Sequence, residues 1–108
     1  MLVSIIISAY NEEKYLPGLI DDLNNQSYPH QLIEIILINA MSTDKTKEIM
    51  ENFQKSNNDF YKIKVIDNPK KVQPSGFNLG VKNSEGDVVL KIDAHSKVTS
   101  DFVEKNVN

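Results

Sequence analysis

The sequence predicts an α/β domain with a mainly parallel sheet. Four apolar runs of strand length alternate along the chain with segments of helical periodicity, and short polar links separate them. This β-α-β-α-β-α-β order is typical of a parallel sheet with helices on its faces. Right-handed crossovers place the carboxyl ends of parallel strands at one edge of the sheet. Ligands of such sheets bind beyond that edge, so a functional site is expected where the strands end.

Composition supports one globular domain and excludes several functions. The chain has 108 residues, of which 40% are hydrophobic and 25% charged, as in folded proteins. The net charge is −3 and all twelve Lys/Arg positions are lysine, so neither a nucleic-acid groove nor an arginine clamp for phosphate is expected. The absence of cysteine excludes disulfides and thiolate metal sites. No run has the character of a signal peptide or membrane span, and a cytoplasmic location is predicted.

The predicted strands are rich in β-branched residues. They cover residues 2–8, 33–38, 63–66 and 88–92. The first two are almost continuously apolar, which is typical of strands covered on both faces. The fourth is expected to be a buried, central strand, and it leads directly into Asp93-Ala94-His95.

Helices are predicted between the strands. Asn11 is expected to cap the first, with Pro17 near its first turn, and Ser42 or Thr43 to cap the second. A short third helix over 74–81 contains two glycines, which permit close approach to a neighbour or a ligand. The expected apolar faces are Tyr15, Leu16, Leu19, Ile20 and Leu23 in the first helix, Ile49, Met50 and Phe53 in the second, and Phe77 and Val81 in the third.

Two metal-competent side chains follow the fourth strand. Asp93 and His95 are two positions apart, so in extended geometry they lie on the same side of the chain. A carboxylate and an imidazole there could bind one divalent cation. The alternative is that Asp93 caps the following turn and His95 lies on the surface. His30, in a turn, is interpreted as a surface residue.

Three ordered motifs resemble the nucleotide-binding half of a family 2 glycosyltransferase of the GT-A fold. They are VSIIISAYNE at 3–12, STDKT at 42–46 and VLKIDAH at 89–95. The segment QPSGFNLG at 73–80, together with Asp-Ala-His, is most similar to the succinoglycan-type branch. The resemblance covers essentially the whole chain. Each motif is weak singly, and their order and spacing carry the match.

The resemblance implies a nucleotide-binding role for the loops after the strands. Ala9, Tyr10 and Glu12 belong to a loop that packs on the uracil and ribose of a UDP-sugar, with Tyr10 against the base. The alternative is a half-buried loop aromatic and a helix-dipole acid. Most members have aspartate at the position of Asn39, where it accepts the uracil N3–H. Asparagine keeps an acceptor oxygen but loses the charge, and a simple strand-end turn residue is the other interpretation.

Asp93-Ala94-His95 occupies the place of the family's Asp-x-Asp motif. The resemblance implies that Asp93 reaches the ribose or the metal's waters and that His95 binds the metal. Histidine in place of carboxylate favours Mn²⁺ over Mg²⁺. Lys71 and Asn78 fall where such enzymes approach the diphosphate and donor sugar, and solvated or helix-capping roles are their alternative.

The implied activity is metal-dependent, inverting transfer from a nucleotide-sugar to a polysaccharide or lipid-linked acceptor. Inversion requires a general base to deprotonate the acceptor. In the family this carboxylate lies well downstream of Asp93, so no catalytic residue is assigned within 1–108. The unfinished helix at 101–108 agrees with a truncated amino-terminal, nucleotide-sugar-binding portion of a longer enzyme, inactive by itself. The parent enzyme is compatible with association at the cytoplasmic face of a membrane.

Two other readings stay open. A nucleotidyltransferase of similar architecture predicts a glycine-rich basic loop after the first strand, which residues 9–14 lack. A binding or partner module with a degenerate site is suggested by Asn39 and His95. A dinucleotide-binding dehydrogenase is disfavoured because no glycine fingerprint follows the first strand.

Overall fold

A four-stranded parallel sheet forms the centre of the chain. The computed structural model describes residues 1–57, 59–70 and 73–107. Within them the strand order is β3-β2-β1-β4 and every pairing is parallel, which confirms the predicted fold class. The elements are β1 (Val3–Ala9), α1 (Leu16–Asn24), a 3-10 helix (His30–Leu32), β2 (Ile33–Asn39), α2 (Thr46–Lys55), β3 (Lys62–Asp67), α3 (Gln73–Lys82), β4 (Val88–Asp93) and α4 (Phe102–Val107).

Helices cover both faces of the sheet. Side chains alternate along a strand, so neighbouring residues of β1 enter different cores. Ile5 and Ile7 pack with the apolar faces of α1 and α2, whereas Ile6 packs in a smaller cluster with Phe77 of α3. This two-sided burial explains why β1 and β2 are buried along their whole length. The predicted faces of α1 and α2 are confirmed at Leu16, Leu19, Leu23, Met50 and Phe53.

Helix α3 lies unusually close to β1. A Cβ atom on Gly80 would be 2.6 Å from Cγ2 of Ile6, and one on Gly76 would be 2.7 Å from Oγ of Ser8. Both distances are shorter than an ordinary van der Waals contact, so a side chain at either position would force the Ile6 or Ser8 side chain to shift. The close approach that the two glycines predict is therefore between α3 and the neighbouring strand β1. Val81, expected on the apolar face of this helix, is 42% exposed, and that expectation is wrong.

The amino-terminal edge of the sheet contains a buried charge cluster that the sequence did not indicate. Glu34 is completely buried, and its Oε1 accepts hydrogen bonds from Ser4 Oγ at 2.7 Å and from the Glu85 backbone N–H at 2.8 Å. Its Oε2 accepts no well-angled hydrogen bond within the described chain but lies 3.0 Å from Nζ of Lys64. Lys64 also pairs with Glu85 at 3.0 Å. We call Ser4, Glu34, Lys64 and Glu85 the amino-edge cluster.

Charge pairing in this cluster moves two pKa values. Burial opposes the charged form of Lys64, but hydrogen bonds to Glu34 and Glu85 outweigh it and raise the pKa of Lys64. The ammonium groups of Lys62 and Lys64, with a hydrogen bond from Tyr61, lower the pKa of Glu85 to about 2. Lys64 and Glu85 are therefore both ionised at neutral pH.

Two expectations about position are wrong. Strand β4 pairs only with β1 among the described strands and lies at the edge of the sheet rather than at its centre. His30 is not a surface residue: its ring stacks on Phe60 with centroids 4.5 Å apart. Its two nitrogens lie 2.8 Å from Asp59 Oδ2 and 3.0 Å from the Gln26 carbonyl oxygen. His30 therefore ties the turn after α1 to the segment before β3.

Candidate functional site

The strand register brings the predicted site residues to one edge of the sheet. Ala9 is level with Asn39, which is level with Asp67, and Ser8 is level with Asp93. The loops that follow β1, β2 and β4 therefore leave the sheet side by side. We call this the carboxyl edge.

Asn11 joins the first two of these loops. It has a positive φ of 51°, and its Oδ1 accepts hydrogen bonds from the backbone N–H of Thr43 at 2.8 Å and of Asp44 at 3.3 Å. Its own N–H donates to Ser42 Oγ at 3.0 Å. Asn11 therefore does not cap α1, which begins at Leu16. That prediction is wrong because Asn11 Oδ1 accepts hydrogen bonds from a loop 31 or more residues away in sequence.

Asp44 fixes the start of α2. Its Oδ1 accepts the backbone N–H of Thr46 at 2.9 Å and the Thr46 hydroxyl at 2.6 Å. Burial opposes ionisation of Asp44, but these hydrogen bonds outweigh it and lower its pKa. Thr46 Oγ1 in turn accepts the Glu12 N–H at 2.8 Å. Asp44 holds the first helical residue, whereas the predicted capping by Ser42 or Thr43 is wrong.

The loop after β1 offers an aromatic side chain to solvent. Tyr10 is 51% exposed, while Ala9 is buried at the strand end and its carbonyl accepts the Ala40 N–H at 2.9 Å. An exposed tyrosine fixed at a strand end presents a flat apolar surface with a polar tip. Such a surface suits a planar ligand.

Asn39 is buried within a polar chain. Its Nδ2 donates to Asp67 Oδ1 at 3.1 Å and its Oδ1 accepts the Ser42 N–H at 3.0 Å. Asp67 also accepts two hydrogen bonds from Lys47 Nζ, at 2.8 and 2.9 Å. The Lys47 ammonium, assisted by the Asn39 amide, lowers the pKa of Asp67. Both polar groups of Asn39 are thus already engaged, and Asp67 is a carboxylate at the same edge whose partners the sequence did not indicate.

His95 is held by Glu12. Its Nδ1 lies 3.0 Å from Glu12 Oε2, so the loop after β4 contacts the loop after β1. This contact leaves Nε2 directed elsewhere and able to bind a ligand. Asp93 is exposed, and across 1–57, 59–70 and 73–107 its side chain makes no hydrogen bond or ion pair.

Among the described residues, the side chains at the carboxyl edge do not form a complete metal site by themselves. No group of three or more His, Cys, Asp or Glu side chains able to hold a metal occurs in the part of the chain that the structure describes. Asp93 and His95 can supply two ligands. Divalent ions bound by one or two protein groups complete their shell with water and substrate phosphate. The residues therefore fit an ion shared with a diphosphate and not a closed structural metal site.

Asn78, a predicted contact to the sugar or diphosphate, lies to one side of the other site residues. Asn78 is exposed and faces a groove of about 370 Å³ on the surface of α3, together with Asn68, Pro69, Lys70, Ser75, Leu79 and Lys82. The Asn68 N–H donates to the Asn39 carbonyl at 2.7 Å, which connects this groove to the carboxyl edge. Lys71 lies outside the described residues.

No helix described by the structure has both the length and the apolar character needed to span a membrane. The cytoplasmic location stays a prediction.

Curated relatives of this sequence are glycosyltransferases. The chain is 39% identical over 105 residues to the Methanococcus voltae dolichyl N-acetyl-alpha-D-glucosaminyl phosphate 3-beta-D-2,3-diacetamido-2,3-dideoxy-beta-D-glucuronosyltransferase, covering 97% of this chain and 32% of that protein. It is 36% identical over 108 residues to an uncharacterised glycosyltransferase of Haemophilus influenzae, covering 99% and 41%. The chain therefore spans about a third to two-fifths of the length of these two relatives.

Solved structures show the same fold. A crystal structure of S. aureus TarS superposes with a TM-score of 0.87 at 27% identity, over 98% of this chain and 31% of that one. TarS in complex with UDP-GlcNAc gives a TM-score of 0.84, also at 27% identity, over 98% and 30%. These matches confirm the GT-A fold.

The family model described as glycosyl transferase family 2 matches residues 4–108. This match includes β2, β3, β4, all of β1 except Val3, and every predicted site residue at the carboxyl edge. The chain therefore belongs to glycosyl transferase family 2.

Proposed function

We propose that this chain is the donor-binding part of a metal-dependent, inverting glycosyltransferase. The donor is a nucleotide-sugar, with UDP as the nucleotide, and the acceptor is a polysaccharide or a lipid-linked saccharide. One observation carries the proposal: the carboxyl edge brings together an exposed aromatic ring, the Glu12–His95 pair and Asp93, whose side chain has no partner among the described residues. The complexes of TarS with UDP and with UDP-GlcNAc support this choice of donor.

The nucleoside would occupy the loops after β1 and β2. Tyr10 packs against the base, and Ala9 and Glu12 line the same loop. Because the Asn39 amide is engaged by Ser42 and Asp67, its second oxygen lone pair is what remains for the N3–H of uracil. Asp67 lies beside it and offers a further acceptor. Asn39 lacks the charge of the aspartate that most family members have at this position. Because Asp67 supplies a carboxylate beside it, the two side chains would recognise the edge of the base together.

Asp93 and His95 would hold the divalent ion, Mn²⁺ in preference to Mg²⁺, together with the donor diphosphate. When bound, such an ion neutralises charge that develops on the leaving nucleoside diphosphate. Glu12 orients His95 through Nδ1 and so directs Nε2 to its ligand. Asn78 and Lys71 are proposed contacts to the sugar or diphosphate.

The general base and acceptor site are placed in the part of the relatives' length that this chain does not span. The chain would accordingly bind donor without transferring sugar by itself. Assignment to the succinoglycan-type branch remains a prediction based on Asp93-Ala94-His95 and the 73–80 segment.

Calorimetric titration with UDP, with and without Mn²⁺, tests the proposal. We expect Mn²⁺-dependent binding that falls at least about tenfold in Asp93→Asn, since a hydrogen bond or ligand contact to a charged group is lost. His95→Ala should remove most of the Mn²⁺ dependence. Asp21→Asn, an exposed carboxylate on α1, is the matched control and should bind as the wild type does.

Unchanged Mn²⁺-dependent affinity in Asp93→Asn would contradict the assigned site. If the wild-type chain and its full-length parent both fail to bind any nucleotide or metal, the degenerate partner module becomes the better reading. The internal engagement of Asn39 is the observation that favours that reading.

A further inference from the structure

Met41 has a backbone conformation that its side chain does not favour. Among the residues described, only two other than glycine have positive φ: Asn11 at 51° and Met41 at 58°. Asparagine tolerates this region, whereas a long side chain is strained in it. Such strain persists only where surrounding structure enforces it, and it is concentrated at functional sites.

Hydrogen bonds on both sides of Met41 enforce this conformation. Before it, the Ala40 N–H donates to the Ala9 carbonyl at 2.9 Å. After it, the Ser42 N–H donates to Asn39 Oδ1 at 3.0 Å, and Ser42 Oγ accepts the Asn11 N–H at 3.0 Å. The backbone of Met41 is thus fixed by the same contacts that join the loops of the carboxyl edge.

These contacts also set Met41 opposite Tyr10. Tyr10 lies between Ala9 and Asn11, and Met41 lies between their hydrogen-bond partners Ala40 and Ser42. Both side chains are exposed, Tyr10 by 51% and Met41 by 40%. Two large apolar side chains therefore leave adjacent loops at the point where the donor nucleoside is proposed to bind.

The Met41 side chain contributes little to folding. It is excluded from both core clusters, and its backbone geometry is unfavourable. A ligand contact explains why an apolar residue occupies this position. A thioether is polarisable and packs well on aromatic rings, and a tyrosine ring stacks on planar bases. A nucleobase supplies the planar π-surface that both side chains would contact.

We propose that Met41 is a base-contact residue that acts together with Tyr10, and that its left-handed backbone conformation is retained for this contact. The inference rests on the proposed donor site and adds to it the apolar wall contributed by the loop after β2. It predicts that the contact acts on the base itself and not on the ribose or diphosphate.

Binding of two probes to the chain tests the inference: UDP, and ribose 5-diphosphate, which lacks the base, both with Mn²⁺. Met41→Gly should weaken UDP binding by roughly fivefold, the value of a sulfur–aromatic contact, and leave ribose 5-diphosphate unchanged. Met41→Leu keeps the apolar packing but loses the sulfur, so its UDP affinity should lie between those of the wild type and Met41→Gly. Since glycine relieves the positive φ, the melting temperature of Met41→Gly should be maintained or rise by up to about 5 °C.

Tyr10→Ala separates failure of this inference from failure of the proposed function. Weaker UDP binding in Tyr10→Ala with unchanged binding in Met41→Gly would leave the donor site in place and overturn the role of Met41. Equal losses for UDP and ribose 5-diphosphate in Met41→Gly would show that the residue only shapes the loop, which also overturns it. A fall in the melting temperature of Met41→Gly would assign the residue to folding instead. If neither probe binds to the wild-type chain or to its full-length parent, the donor site itself is refuted.

Discussion

The two edges of the sheet place charged side chains in opposite environments. At the amino edge, Glu34 is completely buried and is held by Ser4, Lys64 and the Glu85 backbone. At the carboxyl edge, Asp93 is exposed and unpartnered within the described chain, and His95 uses one nitrogen while the other is available.

In this sheet, the side chains that stabilise the fold and the side chains that stay accessible lie at opposite edges. A buried carboxylate is tolerated only where it is paired, and Glu34 at the amino edge is held by an ion pair and two hydrogen bonds from described residues. The carboxyl edge keeps its backbone fixed through Asn11 and Asp44 while the side chains between these anchors stay accessible. Substitutions at the amino edge should therefore change stability, and those at the carboxyl edge should change binding.

Removal of Lys64 should have the largest effect on stability. Lys64→Ala leaves the Glu34 carboxylate buried without its cation, and we expect a loss of about 3 kcal/mol in the free energy of unfolding. Urea denaturation monitored by circular dichroism measures this loss. UDP affinity of the folded fraction should not change, because the cluster lies at the opposite edge.

A double substitution is the control for this experiment. Glu34→Gln combined with Lys64→Met removes both charges but keeps an acceptor for Ser4 and for the Glu85 N–H, and should restore most of the stability. A loss below about 1 kcal/mol in Lys64→Ala would mean that water reaches Glu34, and the contrast between the edges would fail.

Glycine substitutions compare the two edges directly, with the next largest effects. A Cβ on Gly86 would meet the Ser4 backbone nitrogen at 2.7 Å, whereas one on Gly76 would meet the Ser8 hydroxyl at 2.7 Å. Backbone cannot move aside as a side chain can. We therefore expect Gly86→Ala to cost roughly 2–3 kcal/mol and Gly76→Ala about 1 kcal/mol, as measured by denaturant unfolding.

Gly18 provides the matched control. Its added Cβ would approach only Lys97 Nζ, at 3.9 Å, within a helix. Gly18→Ala should therefore stabilise the chain by about 0.5 kcal/mol. A larger cost for Gly76→Ala than for Gly86→Ala would contradict the assigned rigidity of the amino edge.

Lowering the pH should remove a smaller part of the folding stability, the part that Glu85 of the amino-edge cluster contributes. The pKa of Glu85 falls from 4.5 to about 2 on folding, so its stabilising effect is complete above pH 4.5 and is lost as the pH falls towards about 2. Glu85→Gln should be less stable than the wild type at neutral pH and lose less stability across this range. Urea midpoints at a series of pH values test this, with Glu48→Gln on α2 as an exposed control. Parallel acid profiles for the wild type and Glu85→Gln would contradict the role of Glu85.

Much of the fold and part of the site were predictable from local patterns. The runs that became β1 and β2 were recognised because continuous β-branched residues indicate strands covered on both faces. Because parallel strands end together, the sequence also predicts that Tyr10, Asn39 and Asp93 lie at one edge of the sheet, as the strand register shows. Val81 was misassigned because a short helix with two glycines approaches the sheet too closely for a regular apolar face to form.

The sequence by itself determined the order of strands and helices along the chain and the edge of the sheet at which the candidate site residues meet, since both follow from periodicity and the handedness of crossovers. Only the tertiary structure decided what Asn11, Glu34, His30, Asp67 and Met41 do. Each of these residues is set by contacts with segments distant in sequence, such as the 31-residue separation of Asn11 from Ser42. No local pattern records such contacts, because the partner of a polar side chain depends on which loops the sheet brings together.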